Sequence, residues 1–404
     1  MQALDTLRSV IQFRPPELDP VRRRLSGAAS VADLRRIAKR RLPAGVFDYI
    51  DGAAEDERTL AANSAAFGRI GFAPRVLRDV STLDTSTTLF GQTLPFPLIL
   101  APTGFTRMVT PGGELDVARA AADAGLPYTL STLSTRSIEE VAAVSKGTKW
   151  FQVYVWRDRG LVAEMLRRAA DHGYEAITIT VDTAMLGRRE RDVRRGFTLP
   201  PKIGPRTILD GMLRPAWTSA FVRAEPIVFA NIAGHGSISD GTNPVSLATY
   251  INSQFDPALS WADLEWFRSQ WGGRIALKGV QTVEDARIAG DAGVDAVILS
   301  NHGGRQLDDA PAPIDLVAPV RDALDEQVAV ICDGGVRRGS DIAKAVALGA
   351  TACMAGRAYL YGLAAGGEAG VTHVLDHLLD TYRRTLALLG ANSTADLSRD
   401  LVTR

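Results

Sequence analysis

The chain has 404 residues, 46% of them hydrophobic, and its 46 Lys plus Arg are balanced by 46 Asp plus Glu. That length supplies a large core, enough for one big α/β barrel with additions or for two ordinary domains. The zero net charge argues against a bulk nucleic-acid binder.

Cys332 and Cys353, the two cysteines, stand in apolar strand-like runs and read as core residues, not as a disulfide framework or a metal site. That usage suits a reducing compartment. No apolar run approaches the ~18 residues of a membrane span, and Met1-Gln2-Ala3-Leu4-Asp5 has no secretory pattern, so a cytoplasmic protein is expected.

Residues 1–96 are expected to form an N-terminal extension packed on the domain made by residues 97–390. Helical spacing over 31–40 and 43–50 leads into Asp51-Gly52-Ala53-Ala54-Glu55-Asp56. The basic cluster Arg35-Arg36 with Lys39-Arg40-Arg41 reads as a helix face. Eight short apolar runs then recur, at 97–104, 128–132, 149–155, 176–182, 274–280, 296–302, 329–335 and 352–358. Each ends in polar or glycine-rich residues. Stretches of helical spacing separate most of them, among them 114–124, 161–170, 283–292 and 341–348.

Continuous apolar strands alternating with amphipathic helices predict a parallel sheet covered on both faces. Eight such units predict a (β/α)8 TIM barrel over 97–390, with its active site where the strands end. One connection breaks the rhythm. The insertion from about 183 to 261 is long and rich in Gly, Pro and Arg, which predicts a functional loop or a partly disordered one. Residues 391–404 form a C-terminal tail.

The strand ends carry the chemistry. The sixth run ends in Ser300-Asn301-His302-Gly303-Gly304-Arg305-Gln306-Leu307-Asp308, which places an imidazole at a strand end and a guanidinium three residues on. A base beside a fixed cation can take a proton from a small carboxylic acid while gripping its carboxylate. The other ends offer Pro102-Thr103-Gly104, Ser131, Gln152 and Tyr154, Thr180 and Asp182 followed by Arg188-Arg189, and Lys278.

After the seventh and eighth runs stand Asp333-Gly334-Gly335-Val336-Arg337 and Gly356-Arg357. Paired glycine turns let backbone N–H groups approach a phosphate that the arginines neutralise. A phosphate held beside Ser131, Gln152, Thr180 and Lys278 suggests flavin mononucleotide. Those side chains can bond a ring's heteroatoms, and a lysine would stabilise negative charge on the reduced ring. His373 and His377, at helical i, i+4 spacing, lack an evident third ligand and read as packing or surface residues; no metal site is expected.

From about Val31 to Leu389 the sequence resembles the FMN-dependent L-2-hydroxy acid oxidases and dehydrogenases, on the strength of the Ser300–Asp308 motif and of Asp333-Gly334-Gly335-Val336-Arg337-Arg338-Gly339. Within that family it is most similar to bacterial L-lactate dehydrogenases. The resemblance implies His302 as catalytic base and Asp182 as the carboxylate paired with it. It implies Arg305 and Arg189 as the clamp on the substrate carboxylate, and Tyr49 and Tyr154 as substrate hydrogen-bonders. Lys278 would face the flavin's N1–C2 edge. Pro102, Thr103, Gly104, Ser131, Gln152, Thr180 and Ser300 would line ring and ribityl chain, with Asp333, Gly335, Arg337, Gly356 and Arg357 at the ribityl and phosphate end. A homotetramer is implied in the same way.

Two positions modulate the expectation. Leu133 stands where plant glycolate oxidases carry tryptophan, which favours lactate or a larger 2-hydroxy acid over glycolate. Gly104 stands where many oxidases carry alanine, which favours an acceptor such as a quinone over O2. Between Arg188 and Glu225, nine Lys or Arg outnumber four Asp or Glu, and Trp217 and Phe221 lie among them. Such a segment can touch an anionic membrane surface or serve as a solvated substrate lid. Other flavin barrels, and a flavin-binding protein without activity, are rival readings. The former lack the His302–Arg305 spacing, and the latter would show a damaged base or clamp.

Overall fold

The computed structural model describes residues 16–196, 204–232 and 253–403. Eight parallel strands close into a barrel: β1 (Leu98–Leu100), β2 (Tyr128–Ser131), β3 (Lys149–Tyr154), β4 (Ala176–Thr180), β5 (Arg274–Val280), β6 (Ala296–Ser300), β7 (Ala329–Asp333) and β8 (Ala352–Ala355). Each strand pairs with its sequence neighbour, and β8 pairs with β1 to close the ring. This is the (β/α)8 TIM barrel.

The strands form because nearly every residue in them is buried on one face or the other. Small side chains fill the tapered interior: Ala176, Ala276, Ala296 and Ala352 pack with Ile99, Ile298, Ile331 and Trp150. A hairpin of Thr87–Leu89 and Gln92–Leu94 closes the bottom, with Phe90 stacked on Trp150 at 5.3 Å. Outside, the helices bury one stripe each. In Arg159–Asp171, capped by Asp158 at Leu161 N–H (3.0 Å), the stripe is Leu161, Val162, Met165, Leu166 and Ala169. Truncating Leu166 to alanine would cost about 2–5 kcal/mol.

Register sets the site. Ser131 pairs with Gln152, Tyr154 with Thr180, Thr180 with Lys278, and Ser300 with Asp333, so their side chains share one end of the barrel. Between β5 and β6 the register slips at Gly279, whose φ is +111°. A Cβ there would stand 2.8 Å from the Asp182 Cβ, so glycine is required for Asp182 to lie against β5.

In the extension, helices Val31–Arg41, Ala44–Asp51 and Arg58–Gly68 lie over the strand-end side. Val31–Arg41 packs on Arg357–Gly366, where Arg41 Nε donates to Ala364 O at 2.9 Å. The basic cluster is therefore more than a solvated face. Arg35 also turns inward and pairs with buried Asp51 through two hydrogen bonds, of 2.5 and 2.7 Å. In the tail, Val402–Thr403 pairs antiparallel with Gly71–Phe72.

Two expectations need correction. The first apolar run reads as a strand to residue 104, yet β1 stops at Leu100, because the chain turns into the strand-end cavity at Pro102, which has no N–H to donate to a ladder. The insertion is not all loop: its described part holds helices Glu190–Arg195, Pro205–Met212 and Pro215–Arg223, two of them opened by proline. His235 lies outside the described residues.

Candidate active site

A cavity of about 1400 Å3, counted out to its mouth, opens at the carboxyl ends of the strands. Tyr49, Pro102, Thr103, Gly104, Ser131, Leu133, Gln152, Tyr154, Thr180, Arg189, Lys278, His302, Arg305, Asp333, Gly335, Arg337, Gly356 and Arg357 all line it. Asp182 and Ser300 stand one layer behind, hydrogen-bonded to residues that do.

His302 sits in the turn after β6 with φ +57°, a left-handed conformation that costs a β-carbon-bearing residue about 1–3 kcal/mol. Its N–H donates to Ser300 Oγ at 3.1 Å. Nδ1 faces the Asp182 carboxylate at 3.0 and 3.3 Å, so Nδ1 carries the proton and Nε2 is the basic nitrogen. Burial works against the Asp182 charge. The charge and hydrogen bond of His302, with help from Lys278, nevertheless hold its pKa below the usual carboxylate value.

Opposite stand the cations. Arg305 Nη1 donates to the carbonyls of Tyr49 (2.5 Å) and Gly52 (3.2 Å), and its guanidinium lies 4.9 Å from the centre of the Tyr49 ring. Burial, with the like charge of Arg189 next, pushes Arg305 down to about 10. It remains charged at neutral pH and forms no ion pair among the described residues. Arg189 Nε donates to Asp192 at 3.0 Å. Tyr154 is buried, and burial followed by the Asp182 charge raises its pKa, which keeps the phenol protonated as a donor.

Along one wall run two buried polar chains. Ser131 donates to Gln152 Oε1 and Gln152 Nε2 donates to Thr180, both at 2.9 Å. Lys278 Nζ lies 2.8 Å from both Ser300 Oγ and an Asp333 oxygen, and Ser300 donates to Asp333 at 2.7 Å. At the far end come the glycine turns. Gly334 and Gly335 have φ of +132° and +84°, and a Cβ on Gly335 would meet Asn63 O at 2.1 Å. Gly356 opens the helix Arg357–Gly366, whose first N–H groups have no intrahelical partner.

The two arginines there line the cavity beside the glycine turns and also bond backbone carbonyls. Arg357 spends its guanidinium on the carbonyls of Ile50 (3.2 Å), Gly52 (2.7 Å) and Gly303 (2.9 Å), and Arg337 Nη1 donates to Val336 O at 2.7 Å.

The turns after β1 and β2 are tied together. Fully buried Glu114 accepts from Thr106 N–H (3.3 Å), Thr135 N–H (2.8 Å) and Thr135 Oγ1 (2.6 Å), while Phe105 N–H donates to Leu133 O at 3.1 Å. A Cβ on Gly104 would lie 3.1 Å from Leu133 O and 3.2 Å from its Cβ.

Sequence reasoning missed Phe105, Thr183, Leu186, Phe229 and Phe255 in the lining. Thr183 directly follows Asp182 and is within reach of the same argument. Phe229 and Phe255 belong to the insertion, which has no period to read.

A heteroatom-rich ring along the polar wall, with an anion at the glycine turns, fits the flavin mononucleotide expectation: the buried polar chains match the first, and the N–H groups that open helix Arg357–Gly366 beside the positive-φ turn at Gly334 and Gly335 match the second. The comparisons agree. The family described as FMN-dependent dehydrogenase matches residues 38–404. A Mycobacterium tuberculosis protein provisionally named an L-lactate dehydrogenase is 45% identical over 98% of this chain and 94% of its own. An L-lactate dehydrogenase of Caulobacter sp. is 40% identical over 93% and 98%. The crystal structure of the monotopic membrane protein (S)-mandelate dehydrogenase superposes with a TM-score of 0.90 at 40% identity, covering 93% of this chain and 99% of that one. The chain is an FMN-dependent 2-hydroxy acid oxidoreductase, and it belongs to the FMN-dependent dehydrogenase family.

Proposed function

We propose that the protein is an L-lactate dehydrogenase that oxidises L-lactate to the 2-oxo acid and passes the electrons to a quinone-like acceptor. The observation that carries the reading is the convergence, in one cavity, of a carboxylate-backed imidazole with two arginines, Arg189 paired through Nε with Asp192 and Arg305 with no carboxylate partner among the described residues.

Arg305 and Arg189 hold the substrate carboxylate by charge-assisted hydrogen bonds. Tyr49 and Tyr154 orient the hydroxyl side, with Tyr154 donating to the oxygen that becomes the ketone. His302 Nε2 takes the proton released on oxidation, and Asp182 stabilises the resulting imidazolium. Phe105, Phe229 and Phe255 keep water away from the reacting carbon. FMN, when bound, would take up the two electrons together with the second proton. Ser131, Gln152, Thr180, Ser300 and Lys278 would hold its ring, Lys278 offering positive charge on the side where the reduced ring becomes negative. Pro102, Thr103 and Gly104 would face the ring. Asp333, Gly335 and Gly356 would serve the ribityl and phosphate end, with Arg337 and Arg357 nearby.

Leu133 leaves space for the lactate methyl, and Gly104 favours an acceptor other than O2. Two helices of the insertion support a membrane-borne acceptor. Ile208, Leu209, Met212, Leu213, Phe221 and Val222 are exposed there, with Arg206 and Arg223 beside them. Among the described residues no helix is long and apolar enough to cross a membrane, so such contact would be peripheral. The monotopic mandelate dehydrogenase is a precedent in the same family. A mandelate-type substrate is the second reading, favoured by the wall of Leu133, Leu186, Phe229 and Phe255.

The test is to add L-lactate, and separately (S)-mandelate, to the yellow protein without oxygen, then admit air while following visible absorbance. Fast bleaching with lactate and slow return in air is expected. Immediate return would refute the acceptor, bleaching by mandelate alone would refute the substrate, and indifference to both would refute the reaction.

A further inference from the structure

The segment bearing Arg189 is fastened on both sides. Upstream, Gln306 Nε2 donates to the carbonyls of Asp182 and Met185, both at 2.9 Å, and Gln306 Oε1 accepts from Gly187 N–H at 3.0 Å. A Cβ on Gly187 would stand 2.3 Å from Arg305 O, so no slack exists there.

Downstream the fastening is made of charge. Arg191 Nη1 donates to Asp51 Oδ2 at 3.0 Å, and its Nη2 donates to Glu57. Arg195 Nε donates to Asp48 at 2.9 Å, and just upstream of Arg189 a backbone bond runs from Glu55 N–H to Arg188 O at 2.9 Å. Gly52 lies beneath the arginine stem, where a Cβ would be 3.3 Å from Arg191 Cδ. Asp51 is 2% exposed and also accepts from Arg35 and from Tyr361 (2.7 Å). Burial opposes its charge, but these donors hold its pKa below the ordinary carboxylate value. An ion pair with one member this buried resists screening far better than a surface pair.

Both arginines of the carboxylate clamp proposed above are thus referenced to one short stretch of the extension: Arg305 to the carbonyls of Tyr49 and Gly52, and the helix following Arg189 to Asp48, Asp51 and Glu57. We infer that Arg191 is a positioning residue, whose grip on Asp51 and Glu57 fixes Arg189 at the distance from Arg305 that a substrate carboxylate spans. The inference rests on the reaction proposed above.

The logic is pre-organisation. A segment held in place binds at its intrinsic affinity, whereas one in place for a tenth of the time binds about tenfold more weakly. Arg191→Met keeps the apolar stem and deletes the charge. In the FMN-loaded enzyme it should raise KM for L-lactate about tenfold, with kcat changed less than about threefold. The dissociation constant of oxalate, read from flavin absorbance, should rise in step. Arg191→Lys should recover part of the loss. Glu57→Gln should produce a smaller rise that vanishes in the Arg191→Met background, as expected for members of one interaction.

Unchanged KM and oxalate affinity would overturn the inference, as would a fall in kcat at constant KM or additive effects of the two substitutions. Should Arg191→Met lose flavin, Arg191→Lys and Glu57→Gln carry the same comparison. Oxalate binding needs no turnover. A wild type that binds oxalate without oxidising any 2-hydroxy acid would refute the reaction yet leave the positioning test readable, and one that binds neither would overturn both.

Discussion

Asp182→Asn tests the heart of the site with almost no change of shape. Asp182 is 4% exposed at its side chain and meets His302 Nδ1 at 3.0 Å. Two unit charges at that separation attract by about 5 kcal/mol at an effective dielectric of ~20. Asparagine keeps one neutral hydrogen bond, roughly half as strong as the charge-assisted one. About 3 kcal/mol of support for the imidazolium is then lost, and at 1.36 kcal/mol per tenfold that is about a 10²-fold slower bleaching of the flavin. If the amide instead turns its NH2 towards Nδ1, the proton moves to Nε2 and the base is lost altogether, so either orientation slows the step. Anaerobic stopped-flow absorbance at saturating L-lactate measures it directly. KM should shift less than about threefold, because Arg305 and Arg189 are untouched. A bleaching rate within threefold of wild type would refute the role given to the His302–Asp182 pair.

Three further outcomes are expected. Gly104→Ala must push Leu133 by a few tenths of an ångström, since the new Cβ would lie 3.1 Å from Leu133 O; kcat/KM should fall more for (S)-mandelate than for L-lactate, and an unchanged ratio would contradict this reading of the pocket. Lys278→Met strands buried Asp333, a change worth about 3–5 kcal/mol, and should be seen as reduced flavin content after gel filtration. Glu139 is hydrogen-bonded by Arg168, which lowers its pKa from 4.5 to about 2. The stability it contributes is therefore complete above about pH 4.5 and lost as pH falls towards 2; Glu139→Gln should flatten that part of the melting-temperature profile.

Much of this was legible in the sequence, for a physical reason. Strands such as 149–154 and 296–300 are buried on both faces, so they read as unbroken apolar runs, and the residues ending them must enter the cavity. His302, Arg305 and the glycine turns could be read in the same way. What could not be read depends on docking between distant segments. Arg35 reads as solvated because its partner Asp51 reaches it only once two helices pack. Arg357 also bonds carbonyls 50, 52 and 303, which reach it only in the folded chain. Phe229 and Phe255 line the cavity from an insertion whose apolar residues follow no period.

The packing of helix Arg58–Gly68 against the turn after β6 has a consequence for how the molecule assembles. Asn63 and Asn301 exchange amide hydrogen bonds of 2.8 and 2.7 Å, and Asp308 accepts from the backbone N–H groups of Arg58 and Thr59. These bonds join residues 238 to 250 positions apart, so each must wait for most of the chain to be threaded and for a long loop to close. The segment synthesised early thus finds its place only after β6 exists, and the turn bearing His302 is fixed by pairings that span more than half of the chain.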